Sequence, residues 1–474
     1  MRALTVEFAG LDEASGPLTW AQSYMLKMIY MASPGTRGQF NVASYIRIPK
    51  GVTFQHVVRA FRALAERHQS FRTVYRVVGG AFEQRVLGNG TIEIDVIHRS
   101  EPFAPDSSEI DELFRGLQSE EFDLGKAWPY RATLICRSGA PVFLVIVFSH
   151  LTSDAAASAL LQREFTSLLL KCRSEAELDS GSPVAQQLEV AAYQQSAEGA
   201  SRGERSIRHW ERVLSRYYRS GQERPRHAGS VRRAQTISMT SRRLASSAAT
   251  TARRYNTTPS MVFISAAAFA YATISERPGL ILEIACSNRT RTWAETQGTL
   301  FQFGIAEFSA MGVDFGEVLK NSAATALSAY AHSQYDDAVL DDLRRRLSGG
   351  AGPYSQLPAI SFVVNDLVGW RLSAAELNIP LDRPDLVRPT FGEFGDGDME
   401  TGGYAFYLGY HRAAGGGLRL GLEFDTSMLS RREAAGCLAA IDCLILEAGR
   451  TNLSLSEAKN VVRECVTERP EYAI

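Results

Sequence analysis

No two of the six cysteines are spaced as Cys-x-x-Cys, and none stands with a histidine at zinc-ligand spacing. That pattern excludes the dithiol redox motif and the common structural zinc sites. It leaves each cysteine as a small buried hydrophobe, as a reducing cytoplasm allows. Net charge is scarce too: 51 Lys and Arg against 52 Asp and Glu leave -1. Nothing in that balance draws the chain to nucleic acid or a membrane surface. The segment 202–243 is locally basic, but Glu204, Glu211 and Glu223 interrupt it, so it reads as a solvated face or loop. Long apolar runs are missing: 140–148 and 265–274 are the longest, well short of the roughly 20 residues that cross a bilayer. The first ten residues lack the apolar core of a signal peptide. No Gly-Lys-Ser/Thr opens a helix, so there is no P-loop, and Gly415, Gly416 and Gly417 read as a hairpin turn between strands. The expected location is the cytoplasm.

What the chain does have is length and ordinary globular composition. Its 474 residues are 45% hydrophobic and 22% charged, and two domains of roughly 200 residues each are the natural division. The polar stretch 173–182 marks the expected boundary, giving subdomains 1–177 and 178–474. Thr19 is placed to cap a helix reaching about Met31, and 54–67 carries apolar residues at helical spacing. Alternation predicts strands over 40–48, 71–77, 81–87 and 91–97, and a helix over 107–119. A long helical stretch over 184–215, broken near Gly199–Gly203, precedes a loop over 216–233. Beyond it, 241–255, 260–275, 314–332, 336–347 and 430–447 read as helices, and 280–286, 360–364, 404–410 and 418–424 as strands. Both halves mix helices with hairpins, which predicts an α+β (mixed α/β) fold.

The most informative stretch is 142–155. An apolar, β-prone run ends at Ser149 and His150; Asp154 follows, and an Ala- and Leu-rich helical pattern begins. A buried strand that delivers a histidine, with a carboxylate four residues on, can place a base at a substrate site, because imidazole titrates near neutrality. Ser149 as a nucleophile activated by His150 fits poorly, since neighbours on a strand face opposite ways.

Six segments in order resemble the condensation domains of non-ribosomal peptide synthetases, in the wider chloramphenicol acetyltransferase-like superfamily. Leu18-Thr19 with Gln22 resembles the opening Leu-Thr-x-x-Gln, and Arg67-His68 with Arg72-Thr73 the Arg-His-x-x-Leu-Arg-Thr motif. Ser149, His150, Asp154 and Ala155 stand at the places of His-His-x-x-x-Asp-Gly. Tyr193 with His209-Trp210, Asn288-Arg289 with Gly298–Phe303, and 422–429 complete the series.

The resemblance implies two acetyltransferase-like subdomains arranged as a V-shaped pseudo-dimer with a channel between them. It implies that His150 meets the substrates, that Ser149 supports it, and that Asp154 pairs with Arg289. Ala155, Asn288 and Gln302 become candidates to line the channel. Four positions depart from the pattern: Ser149 replaces the first histidine, Ala155 the glycine after the aspartate, Asn288 the glycine before the arginine, and Gln302 stands near the usual Val-Asn. The chain shows no adenylation region and no carrier segment, so a free-standing monomeric member is expected. Its implied work is moving an acyl group from a carrier protein's phosphopantetheine arm, or from CoA, to an amine or hydroxyl of a small molecule in specialised (antibiotic or peptide) metabolism. No bound cofactor or metal is expected. The alternatives are a catalytically degenerate fold that recruits another enzyme to carrier-bound intermediates, and cyclisation or epimerisation of a tethered chain.

Overall fold

The computed structural model describes residues 3–99, 108–125, 127–178, 183–220, 234–347, 362–367, 389–392, 395–397, 406–413 and 416–467. Of the loop expected over 216–233, residues 216–220 instead continue the helix Ala197–Ser220, and 221–233 lie outside the described residues, as do Gly415 and the starts of the strands expected at 360 and 404. The chain divides into two compact units, Met1–Gly203 with Ser287–Gln302, and Glu204–Cys286 with Phe303–Ile474. Two differences from the expected division follow. The stretch after residue 177 stays with the first unit, where Val190 packs with Trp293 and Leu300. And 287–302, far along the sequence, also belongs to that unit.

The first unit contains strands β1 (Ala3–Phe8), β2 (Ala14–Pro17), β3 (Val42–Arg47), β4 (Thr73–Val78), β5 (Ala81–Val86), β6 (Gly90–Arg99), β7 (Tyr130–Arg137) and β8 (Ala140–Phe148). Its helices are α1 (Trp20–Met31), α2 (Phe54–Arg67), α3 (Ser108–Ser119), α4 (Ala155–Arg173) and α5 (Gln187–Gln195), with the start of α6 (Ala197–Ser220). The main sheet runs β1-β6-β7-β8-β3, and β2-β5-β4 form a smaller one. Pairing is antiparallel except between β6 and β7. β8 lies inside the sheet and is covered on both faces: Leu144, Ile146 and Phe148 join α2 and α4, while Val145 and Val147 meet Leu113 and Leu117 of α3. Burial on both faces explains its unbroken apolar sequence. The break between α5 and α6 falls at Ser196, earlier than the glycines suggested. Ser196 Oγ accepts from Gly199 N at 3.2 Å, which starts the next helix there.

The second unit holds β9 (Ala234–Ser241), β10 (Gly279–Cys286), β11 (Gln302–Ser309) from its second residue on, β12 (Phe362–Asp366), β13 (Thr390–Phe391), β14 (Gly395–Gly397), β15 (Phe406–Arg412) and β16 (Leu418–Asp425). Its helices are α7 (Leu244–Arg254), α8 (Pro259–Ile274), α9 (Phe315–Ala331), α10 (Asp337–Leu347), α11 (Arg431–Arg450) and α12 (Leu455–Thr467). The sheet order is β11-β10-β12-β15-β16-β9-β13, with β14 also on β9. β10, β12 and β15 run parallel, where largely antiparallel hairpins were expected. Every residue of α8 from Met261 to Ala272 is buried, as suits a helix apolar all round. Among the described residues no single helix is long and apolar enough to cross a membrane; α7 and α8 pass that test only as a pair bent by 101°.

Candidate functional site

The site is built around the turn that ends β8, within the first unit. Ser149 N donates to Pro129 O at 2.8 Å, the last bond in line with the strand. The chain then turns, with Thr152 N donating to Ser149 O at 2.9 Å. Ser149 Oγ accepts from Leu151 N at 3.4 Å, so the hydroxyl closes the turn. Ser149 and His150 thus sit in a turn and not on the strand, as the sequence reading had placed them. Among the described residues no hydrogen bond joins their side chains.

Two groups remote in sequence hold this turn. Gln22 Nε2 donates to Tyr75 Oη at 3.1 Å and to Leu151 O at 3.4 Å, and Tyr75 Oη donates to the same carbonyl at 3.1 Å. The other end of the Gln22 amide accepts from Thr19 N at 2.8 Å, while Thr19 Oγ1 accepts from Gln22 N at 3.1 Å. One glutamine therefore completes the capping box of α1 and fixes the histidine turn. That gives the Leu-Thr-x-x-Gln motif a physical reason. Burial pushes the Tyr75 hydroxyl up to about 12, so it remains a donor. Replacing Tyr75 by Phe leaves Leu151 O and the Gln22 amide short of partners. The expected cost is about 1–3 kcal/mol in chemical denaturation; a change below about 0.5 kcal/mol, the level of an ordinary surface substitution, would contradict this role.

Asp154 is the hub behind the turn. Its Oδ1 accepts from Ala157 N at 2.8 Å and caps α4. Its Oδ2 accepts from Arg289 Nη1 at 2.8 Å, Leu300 N at 3.0 Å and Phe301 N at 3.2 Å. Arg289 also donates to backbone, with Nη2 donating to Gly298 O at 2.8 Å. Both side chains are almost fully buried, 3% and 7% exposed. Burial alone would push the Asp154 carboxyl up, but the Arg289 charge and hydrogen bond and the backbone amides outweigh it and hold the pKa below its ordinary value. The segment 287–302 is thus clamped onto the helix that follows the histidine turn.

His150 is partly exposed. Its ring stacks on Phe301, centroids 5.0 Å apart and planes 25° apart, and Thr299 Oγ1 donates to its backbone carbonyl. Its Nδ1 is buried with no hydrogen-bond partner among the described residues. Burial lowers the imidazole pKa below 6.5, only partly opposed by Asp154 and nearby backbone. The ring is therefore neutral at pH 7, with a lone pair able to take a proton.

The structure brings His150, Ser149, Asp154 and Arg289 together. Asn288 adopts a left-handed backbone, φ 52°, and donates through Nδ2 to Leu300 O at 3.1 Å. That explains asparagine where glycine is usual, since it is the side chain that best tolerates this region. Ala155 is the first residue of α4 and is not among the positive-φ residues, so alanine brings no backbone strain there. Gln302 is buried at the start of β11. His68 bonds Glu164 Oε2 at 2.8 Å, and His332 Nδ1 donates to Ser328 O at 2.7 Å at the end of α9; both serve structure. Arg72 donates through Nη1 to Asp12 O and Leu87 O. Sequence reasoning missed Tyr75, Thr299 and Phe301. Tyr75 carried one signal, an inward position on β4; nothing local marks the other two. Among the described residues no group of three or more His, Cys, Asp or Glu side chains is arranged to hold a metal.

Comparison with known proteins adds three findings. The family model described as Condensation domain matches residues 13–348. Phosphinothricin tripeptide synthetase PhsC of Streptomyces viridochromogenes is 30% identical over 175 residues, 36% of this chain and only 16% of that much longer protein. Among solved structures, the condensation domain of the monacolin K polyketide synthase MokA superposes with a TM-score of 0.68 at 17% identity, covering 93% of this chain and 99% of that one. The starter condensation domain of rhizomide synthetase RzmA, solved with C8-CoA, gives 0.68 at 14% identity over 93% and 96%. At these identities the structural likeness speaks for the fold.

Proposed function

The chain belongs to the condensation-domain family, and from that premise we propose that it is an acyltransferase. It moves an acyl group from a thioester, on a carrier protein's phosphopantetheine or on CoA, to the amine or hydroxyl of a small molecule. His150 takes the proton as the nitrogen or oxygen attacks the thioester carbonyl. The carbon–sulfur bond then breaks and the thiolate leaves with that proton, giving an amide or ester and a free thiol. One observation carries the reading: a partly exposed, neutral His150 with a buried, unpartnered Nδ1, in a turn locked by Asp154 and Arg289. The thioester bound to RzmA in its solved form makes CoA a reasonable probe donor. The departures at Ser149, Ala155 and Asn288 are each accommodated locally, so they do not favour the degenerate, recruiting alternative.

The pH profile tests the base. Because burial lowers the His150 pKa below 6.5, the neutral, active form persists down to that pH. With an alcohol acceptor, which does not titrate in this range, kcat/KM is expected to hold from pH 8 to 6.5 and fall only below it. An acid limb centred above 6.5 would contradict the assignment.

A further inference from the structure

We infer that Phe301 is a positioning residue for His150, fixing the plane of the imidazole that the proposed transfer uses; the catalytic part of this inference rests on that reading. The ring lies nearly parallel to the imidazole at 5.0 Å and 25°. Tyr24 of α1 also meets the Phe301 ring, edge-on at 6.1 Å and 79°. Stacks of this spacing are favourable and restrict rotation about the last side-chain bond.

The backbone that carries Phe301 is held as firmly as its ring. Phe301 N and Leu300 N both donate to Asp154 Oδ2. Two residues earlier, Thr299 Oγ1 donates to the His150 carbonyl. The segment that clamps the histidine turn thus also lays an aromatic face on the histidine. The aromatic face restrains the plane of the imidazole, beside the backbone of His150 and Ser153 that also acts on the ring. It also shields one face from water. Asp154 is the charged group that acts on the imidazole, raising its pKa against the effect of burial, and the 299–301 stretch carries no charge.

The test uses the whole chain. His150 is followed by proton–carbon NMR of histidine-labelled protein, its resonance assigned by loss in His150→Ala. Phe301→Leu is expected to remove the ring-current displacement of the His150 Hε1 signal. It should also raise the His150 pKa, because water reaches the exposed face. Phe301→Tyr keeps an aromatic face and is expected to restore both. In turnover, Phe301→Leu should lower kcat by about tenfold to a hundredfold with KM little changed, as misorientation does. If Phe301→Leu does not fold, Phe301→Met replaces it in the same measurements. An unchanged His150 signal and pKa without the aromatic ring would overturn the inference. Should the wild type transfer no acyl group, the function falls, and the resonance still decides whether Phe301 orients the ring.

Discussion

Replacing His150 by alanine is expected to lower turnover by about 10²–10⁴-fold, the range for losing a general base. The neutral imidazole is the group in the turn able to accept a proton. Ser149 is committed to closing the turn, and Asp154 is enclosed by Arg289 and three backbone amides. Stability should hardly change. His150 is partly exposed, and the stack on Phe301 contributes only about 0.5–1.5 kcal/mol. Ser149→Ala should cost much less activity, because among the described residues it removes one long hydrogen bond from Leu151 N. Steady-state kinetics beside thermal unfolding separates the cases. A dispensable His150 with an essential Ser149 would replace this mechanism by a nucleophilic one.

Asp154→Ala is expected to be the most destabilising single change at the site, at about 3–5 kcal/mol. It strands the buried Arg289 guanidinium and the Leu300 and Phe301 amides, and it uncaps α4. Against the roughly 5–15 kcal/mol that keeps a domain folded, such a loss can unfold the first unit at ordinary temperature. Asp154→Asn keeps an acceptor for the cap and should cost less. The pH dependence has a definite sign. The folded pKa lies below the ordinary 3.8, so the carboxylate's contribution is present above 3.8 and is lost as pH falls through the lower, folded value. Asp154→Asn should remove that acid-labile part. Urea unfolding of the three proteins, from neutral pH into the acid range, checks both points. A cost under about 1 kcal/mol for the alanine variant would mean that the clamp does not hold the segment.

The site was legible wherever sequence and local structure coincide. The run 142–148 reads as a buried strand and ends one residue before the turn. Thr19 caps α1, as its position before Trp20 indicates. The Asp154–Arg289 pair was reachable only through family resemblance, because no periodicity signals a contact across 135 residues. The return of 287–302 to the first unit was hidden for the same reason. So were the parallel pairings of β6 with β7 and of β10, β12 and β15, which depend on crossovers and not on local alternation. Thr299 and Phe301 lay inside the Gly298–Phe303 segment of the resemblance, which gave neither a role. Their roles exist only once Asp154 has drawn that backbone against the histidine turn. Asn288 looked like a loss at a glycine position until its φ of 52° showed that the backbone requirement is kept.

The most direct test is mass spectrometry of the acyl donors themselves. Acyl-loaded carrier proteins and acyl-CoA are mixed with the wild-type chain and with amine or alcohol acceptors, and the mass of each donor and product is followed. The expected result is loss of the acyl group from at least one donor, with matching amide or ester in solution, by the wild type and not by His150→Ala. Equal discharge by both proteins, or binding to a carrier with no discharge of any donor, would contradict acyl transfer through His150.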